Sequence, residues 1–522
     1  MTVTAGLSIP RASFLQWNKI GMQQRHGINV PLFSLRTEKN LGIGEFFDLI
    51  PLIDWCYEVG FQVIQLLPLN DSGNDPSPYN ALSSCALNPI YLSLSKLPLL
   101  QHPLALPEAP HLNDLPRVAY LEVLSLKLHF LHQYYDQVGK KLQETREFQE
   151  FIKKNNWITP YALFKTLKDE LQHIPWINWP EELKVPDLHS IIEERYEKGI
   201  SFYLLLQYLA HLQLSSIQEH AHSKGILLKG DIPILVSLDS ADAWSKPHLF
   251  NFSLSAGVPP DMYNPQGQYW GFPLFNWECF KSDHFTWWKE RLLVAAQYYD
   301  LYRIDHVVGF FRIWAIPLHQ APAEGRFLPD NPAIFLPQGQ SILQMMLDVC
   351  GMLPIAEDLG TVPSSVKEVL MKMGICGTRV IRWEKNYDQQ GKFIPYEEYP
   401  TFSMTTVSTH DSETLQLWWQ NSSEEAKQFC LFKGWDYSPD LSFDYRRAIL
   451  RDSHHTPSLF HINLLQEYLA LFPEFTFLDP QEERINIPGT ILPQNWTYRL
   501  KVSLEKITSH SSLKKLIEEL LK

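Results

Sequence analysis

The stretch LYRIDH, residues 301–306, is a β-rich run from Leu301 to Ile304 that leads straight into a carboxylate, Asp305. It shows no period-two alternation, which is the pattern of a strand covered on both faces. The same construction recurs on either side of it. ILLKGDIPILV at 226–236 carries Asp231, LPIA at 353–356 leads into Glu357, and MTTVS at 404–408 leads into Thr409-His410-Asp411. FQVIQLLPL at 61–69 reads as a further buried strand. Helix-length patterns lie between them, Asp283 to Tyr299 and Pro363 to Met373, the latter with Pro in its first turn. Strand, helix, strand alternation predicts an α/β fold.

The carboxylates Asp231, Asp305, Glu357 and Asp411 each stand at the C-terminal end of their run, with enough chain between runs for one or more βα units. In a doubly wound sheet such ends fan out along an edge, whereas in a (β/α)8 TIM barrel they converge on one mouth. Convergence predicts the barrel. A barrel core takes ~250 residues, so a chain of 522 carries large insertions. We read residues 1–522 as a single catalytic barrel with an approximate helical insertion subdomain at 100–215. Within it Val118 to Tyr135 and Arg195 to Ala221 pattern as long amphipathic helices.

Composition narrows the function. The hydrophobic fraction of 45%, with 29 Phe, 22 Tyr and 16 Trp, supports a large core and leaves aromatics to line a groove. The net charge of −13 argues against nucleic acid or an anionic membrane as the main partner and favours a neutral small molecule or polymer. Six scattered cysteines without a C-x-x-C pair read as buried free thiols. MTVTAGLSIPRASF lacks a basic segment leading into an apolar one, and no run reaches the ~20 apolar residues of a membrane helix. A cytoplasmic location is expected.

Two carboxyl groups flanking a glycosidic bond transfer sugars, one attacking the anomeric carbon while the other protonates the leaving oxygen. A third can face the oxocarbenium-like transition state. Taken singly, each has a bland reading: Asp305 paired with Arg303, Glu357 or Asp358 capping a helix, Asp411 capping the helix that follows it. All of them at strand ends favour the chemistry. No H-x-H pair opens a strand, and His454-His455 are adjacent rather than alternating, so metal catalysis is not expected. P-loop, G-x-G-x-x-G and G-x-S-x-G motifs are also missing. SAGVPPDMYNPQGQYWGFPLFNW at 255–277 is dense in Pro, Gly and aromatics and reads as a long ordered loop, an active-site lid. Tyr263, Tyr269 and Trp270 match the apolar faces of sugars, and Asp261 and Gln268 their hydroxyl edges.

These stretches resemble the 4-alpha-glucanotransferase family (amylomaltase, or disproportionating enzyme) of the alpha-amylase superfamily. The likeness runs through HGINVPLFSLRTEKNLGIGEF at 26–46, DPSPYNALSSCALNPIYL at 75–92, KGDIPILVSLDSADAW at 229–244 and AGVPPDMYNPQGQYWGFPLFNW at 256–277. It continues through RIDH, AEDLG, THDSET and NIPGTILPQNW at 486–496. The resemblance implies a barrel with helical insertions and no metal or organic cofactor. It implies Asp305 as nucleophile, Glu357 as general acid and base, and Asp411 as transition-state stabiliser. It further implies Arg303 holding the nucleophile ionised, His410 and Tyr79 on the sugar beside the cleaved bond, and Asp261 and Trp270 reaching from the lid.

The activity implied is transfer of an alpha-1,4-glucan segment, from maltodextrin, glycogen or starch-derived donors, to glucose or a maltodextrin acceptor through a covalent glycosyl-enzyme. An alpha-glucan hydrolase of the alpha-amylase type and a non-catalytic glycan-binding protein are the alternatives. Val307-Val308 follow RIDH where many bacterial members carry Phe-Arg, and GFFRIWAIP looks more like the plant cytosolic branch. Maltose, longer maltodextrin and branched glycan ends are all left open as acceptors.

Overall fold

A computed structural model describes residues 9–99, 104–184, 194–260, 265–386 and 391–522. In chain order the strands are β1 (Arg25–Asn29), β2 (Val63–Gln65), β3 (Leu227–Ile232), β4 (Phe250–Val258), β5 (Gln268–Phe275), β6 (Leu301–Ile304) and β7 (Ile313–Pro317). They continue with β8 (Arg326–Leu328), β9 (Leu353–Ala356), β10 (Cys376–Val380), β11 (Lys385–Asn386), β12 (Lys392–Phe393), β13 (Ser403–Thr406) and β14 (Phe460–Leu464). Among the described residues a closed barrel runs β1-β14-β13-β10-β9-β6-β3-β2, with parallel pairing throughout. The expected (β/α)8 barrel is the fold observed.

Strand alternation divides the barrel interior into an apolar floor and a polar mouth. Val63, Leu301, Leu353, Ile355, Cys376, Met404, Phe460 and Ile462 pack together inside, closed off from below by Trp17 and Ile20. Trp17 and Ile20 belong to the helix Phe14–Ile20, which plugs the N-terminal end. Nearer the C-terminal ends the buried residues become Lys229, Asp231, Arg303, Arg379 and Thr405. Each needs a partner at that depth. Lys229 Nζ, for instance, donates to Gln65 Oε1 at 2.8 Å.

The helix read over Pro363 to Met373 runs Ser364–Met373 and ends at Gly374, whose φ of +71° is the left-handed turn that glycine makes without strain. The one read over Asp283 to Tyr299 is shorter, Thr286–Ala295, because His284 and Phe285 take positive φ and break the helical path before it. Between β2 and β3 stand the helices Tyr120–Gln143, Arg146–Lys154, Ile158–Glu170 and Glu194–Ser223. Their buried faces share one continuous apolar cluster with the helices around the barrel.

One expectation is corrected. Residues 255–277 are not mainly a loop: β4 and β5 pair antiparallel, with Gly257 opposite Tyr269 and Val258 opposite Gln268, in a second sheet ordered β5-β4-β7-β8. Pro273 suggests an irregular segment but lies on β5, the edge of that sheet, where a missing N–H costs least. The register shifts beside it, next to Ser255, as a bulge does. The six cysteines are free, and Cys279 is the one not fully buried. Among the described residues no helix is long and apolar enough to cross a membrane.

Candidate active site

β3, β6, β9 and β13 bring their C-terminal ends to the same mouth, and one guanidinium organises what they deliver. Arg303, on β6, donates through Nη1 to both oxygens of Asp231 at 3.1 Å and to Asp305 Oδ1 at 2.7 Å. Its Nη2 stands 3.7 Å from Glu357 Oε2. Burial alone would favour losing the proton from Arg303, but Asp231 and Asp305 outweigh it and push its pKa further up. Asp231 is pushed up by burial against the pull of Arg303. Its side chain is wholly buried against Arg303 and lies beneath the site, whereas Asp305 and Glu357 keep 21% and 15% of their side chains exposed to the mouth.

Glu357 follows β9 and accepts from the backbone N–H of His306 at 2.8 Å through Oε2 and from that of Leu359 at 3.0 Å through Oε1. Burial drives its pKa up, Arg303 opposes, Asp305 adds to the rise, and the two N–H bonds oppose; the balance lies at about 7. A carboxyl group held near neutrality beside one ion-paired to arginine is the division of labour that acid–base sugar chemistry needs.

Asp411 lies beyond β13. Its Oδ1 accepts from Asn486 Nδ2 at 2.7 Å and its Oδ2 stands 3.2 Å from His410 Nε2. Burial would raise its pKa, but His410, Asn486 and Arg303 together hold it well below the usual carboxylate range. It is not a helix cap, since the following helix, Leu415–Asn421, starts from Thr414. Tyr79 donates its hydroxyl proton to Asp231 Oδ2 at 2.8 Å and has His410 Nε2 at 3.0 Å from the same oxygen. Since Tyr79 has spent its only proton, His410 Nε2 carries the hydrogen that faces both Tyr79 and Asp411. The Tyr79 and His410 rings lie near parallel with centroids 5.5 Å apart, and Trp496 closes against both.

A family profile described as 4-alpha-glucanotransferase matches residues 30–505. The chain belongs to the 4-alpha-glucanotransferase family. It is 46% identical over 512 residues to the 4-alpha-glucanotransferase of Chlamydia trachomatis, covering 97% of this chain and 96% of that one. With the 4-alpha-glucanotransferase of Synechocystis it shares 30% identity over 476 residues, covering 88% and 90%. Its fold is similar to that of amylomaltase from Streptococcus agalactiae in complex with acarbose, with a TM-score of 0.81, 25% identity, and coverage of 95% and 98%. This 4-alpha-glucanotransferase is thus an enzyme of the class its sequence resembles, acting on alpha-glucan.

Of the residues singled out in the sequence, the fold gathers Asp305, Glu357, Asp411, Arg303, His410 and Tyr79 at the mouth. Trp270, on β5, packs its ring edge-on against His306 at 5.0 Å and donates Nε1–H to Gln268 Oε1 at 2.9 Å. Asp261 and Tyr263 lie outside the described residues. Sequence reasoning missed Asn486 and Trp496 as members of the site, although both stand in the NIPGTILPQNW stretch that carried part of the resemblance. It also missed His306, whose part is played by its backbone.

Proposed function

We propose that this 4-alpha-glucanotransferase moves a segment of alpha-1,4-glucan to the 4-hydroxyl of glucose or a maltodextrin by retaining double displacement. Asp305 is the nucleophile. Its Oδ1 is tied to Arg303, while among the described residues Oδ2 has only a 3.4 Å contact from the N–H of Ile234 and is the freer oxygen for attack. In the first step Oδ2 bonds to the anomeric carbon as the C–O bond to the leaving sugar breaks, and Glu357 gives its proton to that oxygen. In the second, the acceptor hydroxyl gives its proton to the Glu357 carboxylate and its oxygen displaces Asp305. Asp411 faces the positive charge that develops on the ring. Tyr79 and His410 hold the sugar next to the bond, Arg303 holds the nucleophile, Trp270 reaches from β5 as part of a lid, and Asp261 is a further substrate-binding residue.

The observation that supports this reading is Arg303 bonded to Asp305 with Glu357 nearby and held near neutrality. The test is incubation with maltotriose, with free glucose and chain lengths measured together. Longer maltodextrins formed alongside glucose support transfer. Shortening alone, with no product longer than maltotriose, would point to a hydrolase using the same carboxylates.

A further inference from the structure

Away from the mouth, the seam where the first barrel strand meets the last gathers three histidines that the proposed reaction does not use. His26 on β1 is the direct partner of His461 on β14 in the parallel register. Phe460 and Ile462, on either side of His461, point into the barrel, so His461 points outward to the helix layer, and its register partner His26 meets it there. His454, at the end of the helix Phe443–Ser453, comes down onto the same spot. One nitrogen from each ring lies within 4.8 Å of the others.

The hydrogen bonds fix which nitrogens these rings have to offer. His461 Nε2 sits 2.6 Å from the carbonyl oxygen of Ser458, so that nitrogen carries the proton and Nδ1 presents a lone pair. The residue is fully buried, and Nδ1 has no hydrogen-bond partner among the described residues. His454 Nε2 rests against the hydroxyl of Tyr468 at 2.7 Å, a group that takes an N–H as readily as it gives an O–H. Its Nδ1 faces His26 Nδ1 at 3.0 Å. Leaving a buried nitrogen lone pair unsatisfied is costly. Such an atom, beside two further imidazoles, suits a cation better than a hydrogen-bonded core.

We propose that His26, His454 and His461 form a binding site for a borderline divalent transition-metal ion of the Zn2+ class, which clips β1 to β14 across the barrel seam. Imidazole nitrogens suit such ions, and second-layer contacts of the kind made by Ser458 and Tyr468 fix ring orientation in histidine sites. With Zn–N bonds of about 2.0–2.1 Å the three nitrogens need to lie roughly 3.4 Å apart. The His26–His454 pair is already that close, and His461 closes the rest by rotation about its side-chain bonds. Three metal–nitrogen bonds form. The proton shared between the two Nδ1 atoms moves to Nε2 of His26, the half-buried ring that can exchange with water, and nothing is oxidised or reduced. Water fills the fourth position. The site needs nothing from the transfer chemistry, and its failure would leave that reading untouched.

The test is titration of the chelator-treated full-length protein with Zn2+ by calorimetry and with Co2+ by visible absorption. One tight equivalent is expected, with the intense d–d bands of tetrahedral Co2+ and a higher melting temperature for the Zn2+-loaded protein. His461→Ala and, separately, His26→Gln should each weaken that equivalent by about 10-fold or more and abolish the bands. If His461→Ala fails to fold, His26→Gln and the wild-type Co2+ spectrum decide. No saturable equivalent, a weak six-coordinate Co2+ spectrum, or unchanged affinity in the folded variants would overturn the proposal and place any bound ion elsewhere on the surface.

Discussion

The backbone N–H of His306 donates to Glu357 Oε2 at 2.8 Å, so the residue immediately after Asp305 grips the other carboxyl group of the pair. His306 makes that contact with φ of 43°, a region that residues other than glycine occupy at some cost. The link carries a prediction. His306→Gly, which takes this backbone without strain, should leave the basic limb of the pH–rate profile where it is. His306→Val, β-branched and excluded from that region, should displace the limb and lower kcat/KM by about 10-fold or more. Equal profiles in the two variants would show that the backbone grip does not matter.

Glu357→Gln removes the proton that leaves with the sugar oxygen. The variant should stay folded and lose roughly 10²–10⁴ in rate. In the wild type, kcat/KM for the donor should fall as pH rises past about 7, since the first step needs the protonated acid. Full activity in the Gln variant would end the assignment.

The same carboxyl group leaves a mark on stability. Its folded pKa, about 7, lies above the ordinary 4.5, so the folded state holds the proton more tightly than the unfolded one. Between those values stability falls as pH rises, because folding then requires the ionised carboxylate of the unfolded chain to take up a proton that grows scarcer. Glu357→Gln carries no such term. The melting temperature of the variant relative to wild type should therefore climb from pH 4.5 to pH 7 and level off above it. A flat difference would mean that Glu357 is not perturbed.

Arg303→Met is expected to be costly in a different way. It leaves Asp231, buried and bonded twice to the guanidinium, without its counter-charge. Loss of a buried ionic partner costs about 3–5 kcal/mol. Arg303→Lys retains a charge but cannot span Asp231, Asp305 and Glu357 together, so it should recover more stability than activity. Denaturant unfolding and initial rates, measured side by side, would show the split; parallel recovery of both would refute it.

Trp270 bears on why a sugar rather than water receives the glycosyl group. A covalent intermediate is open to either, and transfer prevails only where an acceptor is bound in line and water is kept out. Trp270→Ala should raise the ratio of hydrolysis to transfer while covalent-intermediate formation persists. If both outcomes fell equally, the ring would be a general platform for substrate.

What could be read from the sequence follows from where order lies in the chain. RIDH and AED were legible because each ends a short buried strand, and a strand fixes where its last residue points; THD was legible because it follows such a strand within a few residues. Asn486 and Trp496 were not, since they belong to an irregular segment after the last barrel strand where spacing carries no geometric meaning. β5 was read as loop because Pro273 and Gly271 break the pattern of a central strand, and only the sheet order shows that this strand is an edge. The backbone of His306 and the three-histidine cluster were hidden for another reason: one depends on a dihedral angle, the other on residues far apart in the chain.

The pairing of β1 with β14 has a consequence for the protein while it is being made. A ribosome delivers β1 before any other barrel strand and β14 after all of them. At ~5–20 residues per second, the growing chain waits on the order of a minute for the strand that completes it. Throughout that interval the sheet is an open ribbon with two bare rims, β1 on one side and the newest strand on the other, each offering N–H and C=O groups to any passing chain. The length of the vulnerable period is set by translation speed and by the helices inserted between strands, so every residue added to an insertion lengthens the time the nascent barrel must be shielded.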